Sequence, residues 1–516
     1  MTWTQERANK RIQGYIASTP KVIQENFNEY HTRFLIEQED FQRKGLPTKK
    51  PLVDIPTTHA IIVDVVHIYA TLLNYDDYRI EQGKETENSH AKALNFLHLH
   101  YQACDRVIEK HGGQRVDFHS SRVHFVVTEP IGEENHGQRI SKALNIATEM
   151  QALSKLANDS IAEGKYNAQF RVGIDTGVCV AINGGKARDN EPLFLGSPAN
   201  HAAKLAAGTE DGIFISNNVR HVLGIQYNMQ YKDSFDFERT ELLTENTIRT
   251  NYQKEFIPKT QEILSEWQDD IKSSINNTGG ASKFQFHYHE PPLKDVVYKD
   301  LSPSNSIRIK LISIFADIDG YTAYIDEAVD NGDIHNAIQA LHVIRSELES
   351  VLQDDFKGRK VRFIGDCIHG LVAEGNATDI DTKKTINTAV ECVGAMRSSF
   401  NTCQEILKTI PDLGLAIGFE LGITPISRVG IRGERSVRLA TSSATISSEI
   451  VQQECDGNQT GIGEYAYDCS STKIQEFFKG NLVNDFDYTD VTYVVQDEVP
   501  LISSPNIARA HSCNKR

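Results

Sequence analysis

The chain has no run of about 18 apolar residues, the length a helix needs to cross a bilayer, so no transmembrane helix is expected. Its opening stretch, MTWTQERANKRIQGY, lacks the apolar core of an export signal, and a cytoplasmic protein is the expectation. Cysteine is sparse: eight in 516 residues, with no CxxC spacing. That pattern excludes a disulfide framework and leaves no zinc-ligand spacing; reduced thiols in a cytosol are the simplest reading. Basic charge also falls short. Against 70 acidic side chains stand 54 Lys and Arg, a net charge of −16, which argues against nucleic acid as a partner but allows a local cationic cluster to hold phosphates. Apolar residues still make up 39%, enough for sizeable cores.

What the chain does have is one motif set, twice. Gly113–Glu129 (GQRVDFHSSRVHFVVTE) aligns without a gap to Gly358–Glu374 (GRKVRFIGDCIHGLVAE), 245 residues later. Gly173 and Gly177 match Gly418 and Gly422 at the same offset. Upstream, the apolar strand ending at Asp64 is aligned with the one ending at Asp317, at an offset of 253. Repeats this long are domains rather than solenoid units. Each copy reads as strand, helix-rich segment, β-hairpin, helix, strand; the first hairpin is placed at Arg115–Phe118 and Val123–Val127. The resulting division is a helical extension over 1–55, a first copy over 56–230, a helical linker over 231–305, a second copy over 306–498 and a polar tail over 499–516. Within the extension, apolar residues at near-helical spacing suit an amphipathic helix packed on the body or a dimerisation arm, so a homodimer stays open.

In the second copy LISIFADIDGYTAY puts Asp317 at the end of a buried strand, and VRFIGDCIHGLV puts Asp366 on a hairpin turn eased by Gly365. If those strands pair, two carboxylates converge at one sheet edge, a donor set suited to two Mg or Mn ions with bound phosphates. These residues resemble the signature of class III nucleotide cyclases, a strand ending FxDIxGFT followed by a hairpin with a KxxxGD-like turn. The resemblance covers roughly 57–225 and 306–450, about 60% of the chain. It implies an α+β fold of tandem cyclase domains with ferredoxin-like βαββαβ cores, packed as an intramolecular pseudo-dimer. It also implies two metal ions on Asp317 and Asp366, with the carbonyl of Ile318 as a further ligand, and a nucleoside triphosphate substrate cyclised by its own ribose 3′-hydroxyl.

The first copy has Ser121 where the second has Asp366, so it holds metals poorly. It keeps LGSPANHAAKLA, which resembles the family's GxxVNxAxRL; Asn200 and Lys204 are i, i+4 and share a helix face. The resemblance gives Asn200 the ribose and Lys204 the α-phosphate, Lys replacing the family's Arg and losing its two-pronged contact. The second copy is read as broken here, with Arg438 nearest the Asn position and Ser442 near the Arg position. Arg428, Arg432, Arg435 and Arg438 form a basic cluster, and Arg432, Arg435 and Arg438 are taken as a triphosphate grip. The two copies therefore share one site.

Base choice in the family depends partly on the residue four before the second metal position, here Asp117 in the first copy and Arg362 in the second. An ionised carboxylate only accepts hydrogen bonds, so Asp117 disfavours adenine and leaves guanine, uracil and cytosine open. Asp117 with its bulky neighbours Phe118 and His119, and the GERSVR loop, resemble the bacterial pyrimidine cyclases of antiphage systems. Those make cyclic UMP or cyclic CMP for a separate effector protein. Guanylate cyclase, adenylate cyclase and a catalytically silent nucleotide receptor are the alternatives.

Overall fold

The computed structural model describes residues 3–19, 21–46, 49, 51–160, 166–184, 192–225, 260–269, 284–408, 410, 412–431 and 436–495. Helix α1 (Gln5–Ser18), strand β1 (Ile23–Asn26) and helix α2 (Phe27–Arg43) precede the first copy. That copy runs β2 (His59–Leu72), α3 (Asp76–Arg79), α4 (Glu87–Lys110), hairpin β3 (Gln114–His119) and β4 (Arg122–Val127), α5 (His136–Ser160) and β5 (Phe170–Asn183). It closes with β6 (Pro192–Leu195), α6 (Ser197–Leu205), β7 (Gly212–Ile215) and α7 (Asn217–Val222). After helical residues 260–269 (α8) and β8 (Phe286–His287) the order recurs. It reads β9 (Ser306–Asp319), α9 (Tyr321–Asp330), α10 (Ile334–Ser350), β10 (Arg359–Ile364), β11 (Cys367–Val372), α11 (Thr382–Ile406), β12 (Gly414–Val429), β13 (Val437–Ala440) and α12 (Ser443–Gln453).

The sheets are ordered β3-β4-β2-β5 and β10-β11-β9-β12, with antiparallel pairing throughout these cores. That is the ferredoxin-like βαββαβ arrangement, as the sequence led us to expect. Strand alternation explains the layering. On β2 the side chains of Val66, Ile68, Ala70 and Leu72 enter a core with α4 and α5, while Ile61, Val63 and Val65 enter a second layer under α2. The long α4 starts from a capping box, Thr86 with Ser89, and buries Leu94, Leu97, Tyr101, Cys104 and Ile108 at helical spacing.

The two copies exchange hairpins. Val180, Ile182, Leu193 and Leu195 of β5–β6 are buried in the core of the second copy, and Val429, Val437 and Leu439 of β12–β13 in that of the first. Helix α1 adds a strap. Its apolar face (Ala8, Ile12, with Trp3 before it) is buried against the second copy, where Arg11 pairs with Glu347 at 2.6 Å and Asp355 at 2.8 Å. Strand β1 meanwhile extends the first sheet. The extension thus spans both copies, and the face of α1 that a dimerisation arm would use is spent within the chain. Within the linker, helix α8 belongs to the first core through Ile263 and Trp267, while residues 284–305 carry no α-helix and bury Leu293, Val296, Tyr298 and Leu301 against the second copy. The tail from residue 499 lies outside the described residues. Among the described residues no helix is long and apolar enough to cross a membrane, and the cysteines are unpaired.

Strand register corrects one alignment. Gly173 lies opposite Tyr69 and Gly418 opposite Phe315, so Tyr69 and Phe315 are equivalent and β2 matches β9 at an offset of 246, not 253. The first-copy counterpart of Asp317 is therefore Thr71. Asp64 sits seven residues upstream, about 23 Å along the strand, where Arg139 Nη2 holds it at 2.9 Å. The apolar runs look alike over several registers, and only the pairing chooses between them.

Candidate active site

Asp317 lies on β9 two residues before its end, facing away from Ile318, whose side chain is buried in the second core. The β10–β11 turn brings Asp366 alongside, with Gly365 at φ +60° making the reversal. The electrostatics register this approach. Burial and then the nearby Asp319 and Glu449 push Asp317 up to about 6. Burial and then Asp317 push Asp366 well above the usual carboxylate range, with Arg345 of α10 opposing. Carboxylates raised by burial and by neighbouring carboxylates form a site whose ionised state needs a cation. The residues fit a divalent metal: the donors are hard oxygens, and Leu415, opposite Ile318, gives its N–H to Gly457, leaving the carbonyl of Ile318 unclaimed by that amide. Among the described residues no three His, Cys, Asp or Glu side chains form a cage, so two carboxylates and backbone would be completed by the phosphates themselves.

Facing this edge is α6 of the first copy. Asn200 and Lys204 are exposed on it, and Asn200 Nδ2 donates to Thr322 Oγ1 of α9. Asn200 thus reaches, from the opposite copy, the helix that follows Asp317, with Lys204 one helical turn further along α6.

The twin location lacks every one of these groups. The helices α6 and α12 pack by the backbone of Ala202 on Gly173 and of Ser448 on Gly418, again an offset of 246. The counterparts of Asn200 and Lys204 are therefore Ile446 and Ile450, not the Arg438 and Ser442 that a gapped reading of the loop selects. With Thr71 and Ser121 in place of the two aspartates, the twin lacks both the aspartate pair and the helix polar pair. Its space is taken by the chain's own contacts: Ser120 to Thr441 at 3.1 Å, Arg122 to Glu449 at 2.7 Å, and His119 to Glu449 at 3.2 Å. Burial would raise Glu449, but His119 and Arg122 hold it down at about 2.

Asp117 stands between the two locations. Arg362 Nη1 donates to Asp117 Oδ1 and to the carbonyl of Phe118, and its Nη2 donates to the carbonyl of Arg438. Positions 117 and 362 are equivalent, so their contact lies on the pseudo-two-fold axis relating the copies. Sequence reading missed this pair, although the common offset of 245 was its signal. Phe118 is corrected: strand alternation turns its ring into the first core, stacked on Tyr101 at 3.9 Å, and only its carbonyl reaches the axis. Arg438 is corrected too. Its guanidinium lies 5.6 Å from the centre of the Tyr298 ring, and its carbonyl accepts from Arg362 on the axis. Arg432 and Arg435 lie outside the described residues. Beside Asp117 the first sheet carries Tyr69 stacked on His124 at 4.2 Å, mirrored by Phe315 on His369 at 4.3 Å.

A two-copy βαββαβ body with one polar, carboxylate-lined seam is the architecture of a class III cyclase, and comparison with known proteins agrees. The profile of the adenylate and guanylate cyclase catalytic domain matches residues 79–250. A uridylate cyclase of a Rhizobium species is 41% identical over 495 residues, covering 94% of each chain. A uridylate cyclase of Pseudomonas aeruginosa is 37% identical over 506 residues, covering 96% of this chain and 92% of that one. The crystal structure of a class III adenylyl cyclase-like ATP-binding protein from Pseudomonas aeruginosa, 36% identical, covers 96% of this chain and 100% of its own with a TM-score of 0.83. The chain belongs to the class III nucleotide cyclase family.

Proposed function

We propose that this cyclase converts UTP to 3′,5′-cyclic UMP and pyrophosphate at the single seam between Asp317 and Asp366 on one side and α6 on the other. The observation that carries the reading is the asymmetry: one location has both carboxylates and the Asn200–Lys204 face, and its twin has Thr71, Ser121, Ile446 and Ile450 instead. Asp317 and Asp366, with the Ile318 carbonyl, would hold two Mg or Mn ions, which when bound favour ionisation of the ribose 3′-hydroxyl and offset the charge of the leaving pyrophosphate. Asn200 then orients the ribose, and Lys204 balances charge building on the α-phosphate. The bond from the 3′-oxygen to the α-phosphorus forms as that from the α-phosphorus to the bridging oxygen breaks, and the hydroxyl proton leaves to solvent.

Uracil presents an N3–H between two carbonyls. Arg362 occupies Oδ1 of Asp117, and among the described contacts Oδ2 has no partner, so it can accept the N3–H while the guanidinium donates to a carbonyl. Cytosine and guanine edges satisfy the same pair; the uridylate cyclases at 37% and 41% identity favour uracil. A signalling role in antiphage defence, with a separate effector reading the product, follows from the resemblance to the bacterial pyrimidine cyclases. The test is an assay of the purified chain with all four nucleoside triphosphates and Mn, products identified by mass. Cyclic UMP should dominate; cyclic AMP as the main product, or no cyclic product, would end this reading.

A further inference from the structure

Helix α6 carries Asn200 and Lys204, yet nothing in its own copy caps its first turn. The position before the helix is Gly196, at φ +134°, with no side chain to offer, and Pro198 has no N–H. The N–H of Ser197 donates instead to Asp326 Oδ1 at 3.0 Å, and Ser197 Oγ donates to Asp326 Oδ2. Asp326 belongs to α9 of the second copy, the helix that follows Asp317. A Cβ at position 196 would meet Asp326 Oδ1 at 3.1 Å, so glycine there admits the carboxylate. One turn further along, Asn200 reaches Thr322 on the same helix. Thr322 and Asp326 are i, i+4 on α9, while Ser197 and Asn200 are i, i+3 on α6, so two helix faces are joined at two points. The twin helix α12 also takes a carboxylate from the opposite copy, the N–H of Ser443 donating to Glu85 Oε1 at 2.7 Å, but it has a capping box of its own, Ser442 with Thr445, which α6 lacks.

We infer that Asp326 is a positioning residue, a helix cap supplied from the opposite copy that sets Asn200 and Lys204 over the Asp317–Asp366 edge. The inference rests on the cyclase reading for its effect on rate, but the cap itself is a structural statement. Its negative charge at the positive end of α6 adds to the hold.

The experiment uses the full chain with Asp326→Ala and with the isosteric Asp326→Asn, which keeps one acceptor for the Ser197 amide. Hydrogen–deuterium exchange of the peptide covering α6 is read beside UTP kinetics with Mn. Asp326→Ala should raise exchange in the first turn of α6 by about tenfold, the scale of a lost cap. It should lower kcat by about 10–100-fold while KM for UTP moves by less than about threefold, the signature of lost positioning. Asp326→Asn should fall between wild type and Asp326→Ala in both readouts. Unchanged exchange in α6, or raised exchange with wild-type kcat, would overturn the inference. If wild type itself forms no cyclic nucleotide, the cyclase reading fails and so does the rate effect, and exchange alone then decides whether Asp326 caps α6.

Discussion

Exchanging the partners across the pseudo-two-fold axis, Asp117→Arg together with Arg362→Asp, separates two roles that coincide in Asp117. The single change Asp117→Ala leaves Arg362 with only the carbonyls of Phe118 and Arg438. Its side chain is 11% exposed and that of Asp117 35% exposed, so the pair is neither fully buried nor free in solvent. Breaking a buried pair costs about 3–5 kcal/mol and an exposed one about 0–1, which places this loss near 1–2 kcal/mol. For domains of this size that is a fall in Tm of about 2–8 °C. The double exchange rebuilds the pair in mirror image, because the two positions are equivalent, and should recover most of that loss. It moves the carboxylate to the copy that does not carry Asn200, however, and sets a donor where uracil N3–H needs an acceptor. Cyclic UMP formation should then fall by about a hundredfold or more, as expected for a site whose polar group is left unmatched. Thermal unfolding and product ratios from equimolar nucleoside triphosphates measure the two effects separately. A double variant that is restored in Tm and still makes cyclic UMP at the wild-type rate would refute base reading by Asp117.

Asp317→Asn and Asp366→Asn should each remove detectable cyclisation, a loss of several kcal/mol of transition-state stabilisation, while Asp64→Asn should lower Tm through its lost partner Arg139 and leave kcat within about twofold; equal loss of activity in all three would contradict the strand register. Asp317 also predicts a pH dependence of the metal-free protein. Its folded pKa of about 6 lies above the usual carboxylate value, so the folded chain holds the proton more tightly than the unfolded one. This contribution is complete below about pH 4 and is lost as pH rises toward about 6, so wild-type Tm minus that of Asp317→Asn should fall across that window. Added Mn should reverse the trend above about pH 6; a flat difference without metal would mean the carboxylate feels no such field.

The sequence alone determined the duplication, the α+β class, the two hairpins and the residue types of the seam, because these rest on local patterns: apolar alternation, the glycine in a turn, i, i+4 spacing on a helix. It determined that Asp366 has no counterpart of its own kind, since the hairpins align without a gap, whereas the gapped loop misplaces the counterpart of Asn200 at Arg438 and helix packing fixes it as Ile446. Only the tertiary structure decided which residue is the counterpart of Asp317, because apolar strands slide past one another at little cost in pattern and the hydrogen-bond register alone fixes Thr71 rather than Asp64. Only the fold could turn Phe118 into the core, set Arg438 beside Tyr298, and set Asp117 against Arg362. The cap on α6 was out of reach for the same reason. Asp326 and Ser197 are 129 residues apart, and no local rule relates a carboxylate on one helix to the missing cap of another. Contacts across the interface depend on how two surfaces close, and a one-dimensional pattern carries no record of that closure.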